Sequence, residues 1–236
     1  LKITICLLVA LMITAGAQAD TFGTGDNQFT IDFVTITHPG NAPDTGGTGN
    51  GAVAYEYRIG RFEITNAQWD KFVLDVGLPT GNPPSAYDQT SLFTGPQNPV
   101  NMVSWYEVAQ FCNYLTSGDK SKGVYQFSGD NTNPGDFIGI DRNAAKAAYQ
   151  NIYFIPTEDE WYKAAYLKPD GITYSIYSSG FNEPPARDEG WNVYGGVYSG
   201  VWDVGTGFCE QNGTYDMMGN VCEWTESTYV YNGTLY

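Results

Sequence analysis

Apolar residues along this chain recur in short bursts of two periods, and the change from one period to the other happens at three similar junctions. Residues 28–37, Gln-Phe-Thr-Ile-Asp-Phe-Val-Thr-Ile-Thr, alternate and are β-branched, which predicts a strand ended by His38-Pro39-Gly40. Residues 55–64 alternate again through Ile64, and Thr65 with Gln68 then forms a capping box that opens a helix with Trp69, Phe72 and Val73 inward. After the strand-like residues 100–103, Ser104 and Glu107 cap a second helix whose Trp105, Val108, Ala109, Cys112 and Leu115 share one face. After the strand-like residues 152–155 and Pro156, Thr157 and Glu160 cap a third, with Trp161, Ala164 and Ala165 inward. Each junction carries a Trp within the first two helical turns, and packing explains that placement.

The segments between these junctions are loops by composition. Asn41 to Gly51 is Gly-rich and is followed by Ala52-Val53, so it lacks the Lys and hydroxyl residue that a phosphate-cradling loop needs. Ser128 to Asp136 is acidic with Gly but lacks the closing Glu of an EF-hand, and reads as a solvated insertion. Asp141 to Gln150 predicts a short Ala-rich surface helix, and residues 168–190 a Pro-, Gly- and Tyr-rich loop. With 28 Gly, 12 Pro, 18 Tyr and 6 Trp in 236 residues, the pattern predicts a loop-rich α+β fold of short strands and a few short helices. A strand and Gly-rich loop over 20–54 lead into a main domain over 55–236.

The first residues change the picture of where the chain works. Lys2 precedes a mostly apolar run ending near Ile13, followed by Ala17-Gln18-Ala19, the pattern of signal-peptide cleavage, so residues 1–19 are expected to leave a secreted or periplasmic protein. Nothing later is apolar for long enough to anchor the chain in a membrane, and a monomer is expected. The formal charge is −15, which repels phosphate backbones and argues against nucleic acid as a partner. Cys112, Cys209 and Cys222 are an odd number in an oxidising compartment, so at least one is free or bridges elsewhere, while Cys209 and Cys222 are spaced to close a short loop. No Cys/His spacing supports a zinc site, and the single histidine, His38, reads as a turn residue beside Pro-Gly. One histidine also excludes a three-histidine iron centre.

The chemistry concentrates in residues 212–227, Asn-Gly-Thr-Tyr-Asp-Met-Met-Gly-Asn-Val-Cys-Glu-Trp-Thr-Glu-Ser. Glycines, an asparagine and a carboxylate alternate there with apolar residues. Spacing alone leaves two readings open: backbone bent to aim carbonyls and a Glu oxygen at a hard cation, or a glycine-kinked strand end or bulge.

These residues also carry a resemblance. Tyr215-Asp216-Met217-x-Gly219-Asn220-Val221-x-Glu223-Trp224 resembles the signature of the formylglycine-generating enzyme (sulfatase-modifying factor) family, whose usual form has Trp at the place of Cys222. Residues 57–68, 99–115 and 155–165 are similar to its earlier blocks in the same order. The resemblance implies a C-type-lectin-like arrangement and structural calcium. One ion would be held by Met218, Gly219, Val221 and Glu223. A second would involve Asn192 and Val193, although residues 195–200 lack the Asp that the family places next. Family activity is copper-dependent oxidation, by O2, of a cysteine in an exported sulfatase to formylglycine, using a cysteine pair that follows an Arg-Gly-Gly-Ser-Trp-like strand. The sequence to Tyr236 contains neither that strand nor that pair. The expectation is therefore an exported sulfatase-modifying-factor-like domain lacking its catalytic cysteine region, or else a non-catalytic extracellular module binding a glycan or protein through aromatic loops such as residues 191–198.

Overall fold

Alternation along one strand sets the layering. The computed structural model describes residues 18–80, 93–185, 200–228, 230–231 and 234–235. β1 (Gln18–Phe22), β2 (Phe29–Ile36) and β3 (Tyr57–Gly60) form an antiparallel sheet in that order. β2 is central and buried on both faces. Phe29, Ile31 and Phe33 meet α1 (Asn66–Val76) and α2 (Trp105–Ser117) in an aromatic cluster with Trp69, Phe72, Phe111 and Tyr114. Val34 and Ile36 point the other way, onto Ala164 and Ala165 of α4 (Glu158–Tyr166) and onto Met217. A third cluster joins α2 to the hairpin of β4 (Tyr125–Phe127) and β5 (Phe137–Ile140) and to α3 (Arg142–Ala148), through Ala109, Cys112, Tyr125 and Ala145. A two-residue pair, β6 (Val230–Tyr231) with β7 (Thr234–Leu235), follows near the end. The mixture of small sheets and short helices is the α+β class that the composition predicts.

All three capping boxes form as the sequence predicts: Thr65 with Gln68, Ser104 with Glu107, and Thr157 with Glu160 each exchange both bonds. The predicted strands fare less well. The strand expected through Ile64 stops at Gly60, and residues 100–103 and 152–155 are irregular. Their amides are satisfied elsewhere: Tyr153 N–H by the Thr116 hydroxyl at 2.9 Å, and Ile155 N–H by the Tyr125 hydroxyl at 2.8 Å. A side-chain oxygen replaces the ladder partner in each case. Asn41 to Gly51 is the predicted loop, ordered by Asp44, which accepts from the Gly46 and Gly47 amides and from the Tyr162 hydroxyl of α4. His38 is a turn residue with φ 61°, its carbonyl accepting from the buried Lys163 ammonium at 2.9 Å. Residues 128–136 form the connection between β4 and β5, and α3 is the short Ala-rich helix that was expected.

The Ala-Gln-Ala pattern ends inside a strand, since Gln18 pairs with Phe33 and Ala19 with Asp32. Cleavage after Ala19 leaves the pairs from Asp20 to Phe22, and with them the Asp20 carboxylate that holds Arg58. Residues 1–17 lie outside the described residues. Among those described, no helix is long and apolar enough to cross a membrane.

Phe72 is fully buried against Trp69, Phe111 and Tyr114, whereas Leu74 on the same helix is 69% exposed. Phe72→Ala is expected to cost about 3–5 kcal/mol and Leu74→Ala within about 0.5 kcal/mol, read as shifts in urea midpoint.

Candidate functional site

Tight turns at residues with left-handed backbone shape the stretch 215–224. Asp216 (φ 61°) and Asn220 (φ 60°) both sit in that region, and the Gly219 amide bonds back to the Asp216 carbonyl at 3.0 Å. Asn and Asp tolerate this conformation better than other non-glycine residues, which is why the sequence can turn twice here. Met217, between the turns, is 5% exposed and plugs the cluster beneath β2. The stretch is a tight bend rather than a helix or a regular strand.

Indole donors from the capped helices hold the bend. Trp161, on α4, donates its Nε1–H to the Glu223 carboxylate. Trp105, opening α2, donates to the Thr225 carbonyl at 3.1 Å. Trp224 itself donates to the Val103 carbonyl just before α2, and the Glu226 amide bonds to the Pro156 carbonyl just before α4. At the other end, the Tyr215 amide donates to the Arg61 carbonyl, where β3 has ended, and the Tyr215 ring packs on Phe62. The helix tryptophans thus do more than pack: two of them fix the backbone and side chain of the bend.

Four carboxylates gather around it. Asp216 and Glu223 raise each other's neighbours electrostatically: Glu63 is pushed up to about 9 by burial and by the charges of Glu223 and Asp216. Burial and the Asp216 charge push Glu223 up to about 7, despite the indole N–H that favours its ionised form. Glu210 is also pushed up to about 7 by burial, against hydrogen bonds from the Ser178 and Thr214 hydroxyls, and burial raises Asp216. Glu223 is exposed, and the surface it exposes lies in the wall of a cleft, where protein crowds the carboxylate. Asn220 ties the group together, donating to Glu63 Oε2 at 2.8 Å while its Oδ1 accepts from the Trp202 amide at 2.9 Å. The second carboxylate oxygen of Glu63 is buried without a hydrogen-bond partner.

Beside the bend lies a cleft of about 1050 Å³, walled by β3, Leu115, Tyr153, Val103, Cys222 and Trp224 among others. Cys112 also reaches its wall but belongs to the core, and burial pushes its thiol up to about 12. Cys209 and Cys222 are exposed, and all three cysteines are free thiols, so the loop closure between Cys209 and Cys222 does not occur.

A family model described as the sulfatase-modifying factor enzyme 1-like domain matches residues 29–234. The chain belongs to that family. A relative described as chaperone protein LppX, from Paenibacillus barcinonensis, is 27% identical over 236 aligned positions, covering 92% of this chain and 79% of its own length. No solved structure matches.

Membership of the sulfatase-modifying factor family raises the question of which metals the residues fit. Among the described residues, no three His, Cys, Asp or Glu side chains come close enough to share one ion. A cage of carboxylates is therefore out, and a hard-cation site here needs main-chain or amide oxygens beside one or two carboxylates. Within the bend, Glu223 lies within electrostatic reach of Asp216. The motif alone gives Asp216 no role; its place at the first of the two turns, in left-handed backbone, is the signal it carries. Glu63 and Glu210 were missed: the first reads as the polar member of an alternating strand, the second as an isolated acid thirteen residues before Glu223. Asn192 and Val193 lie outside the described residues, as does the aromatic loop 191–198. Copper does not fit the described thiols, because Cys112 is locked in the core as the protonated form and no cysteine pair is assembled.

The raised carboxylates set a pH dependence with a definite sign. A carboxyl whose folded pKa exceeds its unfolded value binds more protons when folded, so stability falls as pH rises between the two values. In chelator, the melting temperature is expected to fall between about pH 5 and pH 8, and calcium to flatten that fall. Glu223→Gln is expected to remove both the response to calcium and part of the pH slope; a calcium-induced rise that survives this substitution would place the ion elsewhere.

Proposed function

We propose that this sulfatase-modifying-factor-like chain works outside the cytoplasm as a calcium-ordered holding domain, binding a polypeptide partner without oxidising it through the residues described. The cleft beside the bend carries this reading. It is large enough for several side chains, mostly apolar, and edged by Met102 and Trp224, both partly exposed. Mouths of this kind bind chains through aromatic and aliphatic contacts, with a few polar groups setting orientation. A relative described as a chaperone fits such a role.

Calcium enters as the counter-ion of a bend that is already in place. Asp216 and Glu223, with carbonyls of Met218, Gly219 and Val221, would hold it, and the charge it supplies would offset the carboxylate crowding. The surrounding indoles keep the ligands in place whether or not the ion is bound. The arrangement of the whole is read as C-type-lectin-like, a scaffold that presents irregular loops on short strands and helices.

An exported sulfatase is one natural partner, since the family acts on such proteins. Incubated with an unfolded sulfatase peptide bearing Cys-x-Pro-x-Arg, under O2 and copper, the chain is expected to bind the peptide in calorimetry and to leave its cysteine unchanged in mass spectrometry. Formylglycine in the product would contradict the non-oxidising reading. Absence of binding to this peptide and to a reduced, unfolded reference protein would contradict the holding role.

A further inference from the structure

Two small-residue patterns overlap where the apolar leader gives way to β1. Ala15-Gly16-Ala17 and Ala17-Gln18-Ala19 both have the A-x-A form, so spacing by itself allows a cut after Ala17 or after Ala19. The folded chain treats the two bonds differently. The Ala19–Asp20 bond lies inside the ladder: Gln18 pairs with Phe33, Ala19 with Asp32 and Asp20 with Ile31. A peptidase needs its substrate extended and unpaired, so this bond is open to it only while the sheet is unformed. A cut there also removes two of the five pairs that β1 makes with β2, whereas a cut after Ala17 keeps all five.

Asp20 is a poor place for the chain to start. Its carboxylate accepts from Arg58 Nη1 at 3.1 Å and Nη2 at 2.5 Å, and from the Tyr153 hydroxyl at 2.7 Å. The Arg58 guanidinium holds this carboxyl below the usual carboxylate range. A cut after Ala19 would set an α-ammonium, charged at neutral pH, on the same residue, where it competes for the carboxylate and repels the guanidinium. Asp20 would also join the terminal residues that fray unless a strand ties them down. What loosens then is cleft wall. Phe33, Arg58 and Tyr153 all line the cleft, with the Arg58 guanidinium 5.0 Å from the centre of the Phe33 ring and the Tyr153 ring 5.6 Å from it. A cut after Ala17 moves the new charge two residues away, onto exposed Gln18, and leaves Phe33 paired.

We infer that the leader is removed at the Ala17–Gln18 bond, so that the exported chain begins at Gln18 and keeps Gln18 and Ala19 in β1; this rests on the extracellular location proposed above and not on the partner held there. The step is a hydrolysis. Water adds across the peptide, Ala17 leaves with the carboxylate and Gln18 keeps the amine. An N-terminal glutamine then closes on itself when its amine displaces ammonia from its own side-chain amide, which gives a lactam and removes the charge.

The full chain, expressed in a bacterium with an export pathway, is recovered and its first residue read by intact and tandem mass spectrometry. It is expected to begin at Gln18, as the free amine or as the lactam one ammonia lighter. A chain beginning at Asp20 would overturn this assignment and leave the extracellular reading standing, whereas a leader retained uncut would overturn both. Two variants separate the overlapping patterns, because Ala17 belongs to both while Ala15 and Ala19 belong to one each. Ala19→Gln is expected to leave the end at Gln18, and Ala15→Gln to move it to Asp20. Loss of processing in Ala19→Gln would contradict the assignment. Chains made to begin at Gln18 and at Asp20 then test the reason for it. The shorter is expected to unfold at lower urea and to exchange the amides of residues 30–33 roughly tenfold faster. Equal urea midpoints and equal exchange would overturn the structural ground.

Discussion

The structure depends on indole N–H groups that reach from the start of two helices to a bend far along the chain. Trp161 and Trp105 come from separate capped helices, yet both end on residues 223–225. A hydrogen bond is modest in net stability, about 1 kcal/mol, but a donor on a packed ring cannot wander. The consequence is positional: a stretch with few regular hydrogen bonds of its own is fixed by elements that have many. Trp224 returns the favour by bonding the segment before α2, so helix and bend define each other.

That fixation comes at an electrostatic cost. Holding Asp216 and Glu223 near Glu63 and Glu210 buries four carboxyls in a crowded space, and burial first, with like charges adding to it for Glu63, Glu210 and Glu223, makes each resist ionisation. Elsewhere the chain handles buried acids differently. Glu160 is nearly inaccessible, but it closes a capping box and meets the Arg142 guanidinium at 3.3 Å, while Glu226 takes the other arm of Arg142 at 2.9 Å. The contrast between a neutralised acid pair near α3 and an unneutralised group at the bend is the ground on which a cation is proposed at the second place and not the first.

Much of this was legible in the chain because the signals were local. A capping box involves four consecutive residues, so Thr65, Ser104 and Thr157 announced their helices without help from tertiary structure. Strands were harder. Residues 152–155 look like a buried strand, but the Thr116 and Tyr125 hydroxyls take their amides, and nothing nearby in sequence reports those partners. The bend was found through its turn residues and its family signature, whereas the indole contacts were invisible because a Trp in a helix reads as core. Glu63 was hidden for a related reason: its significance comes from Asn220, a residue 157 positions away.

The central claim is that the bend holds crowded carboxyls that a bound cation must discharge. Calcium titration of chelator-stripped protein at about pH 7, in two buffers of different ionisation enthalpy, tests it directly. Carboxyls pushed up toward neutrality must lose protons as the ion binds, so the account predicts one site whose apparent heat differs between the buffers. Binding heats that agree in both buffers, or no binding heat in either, would contradict it.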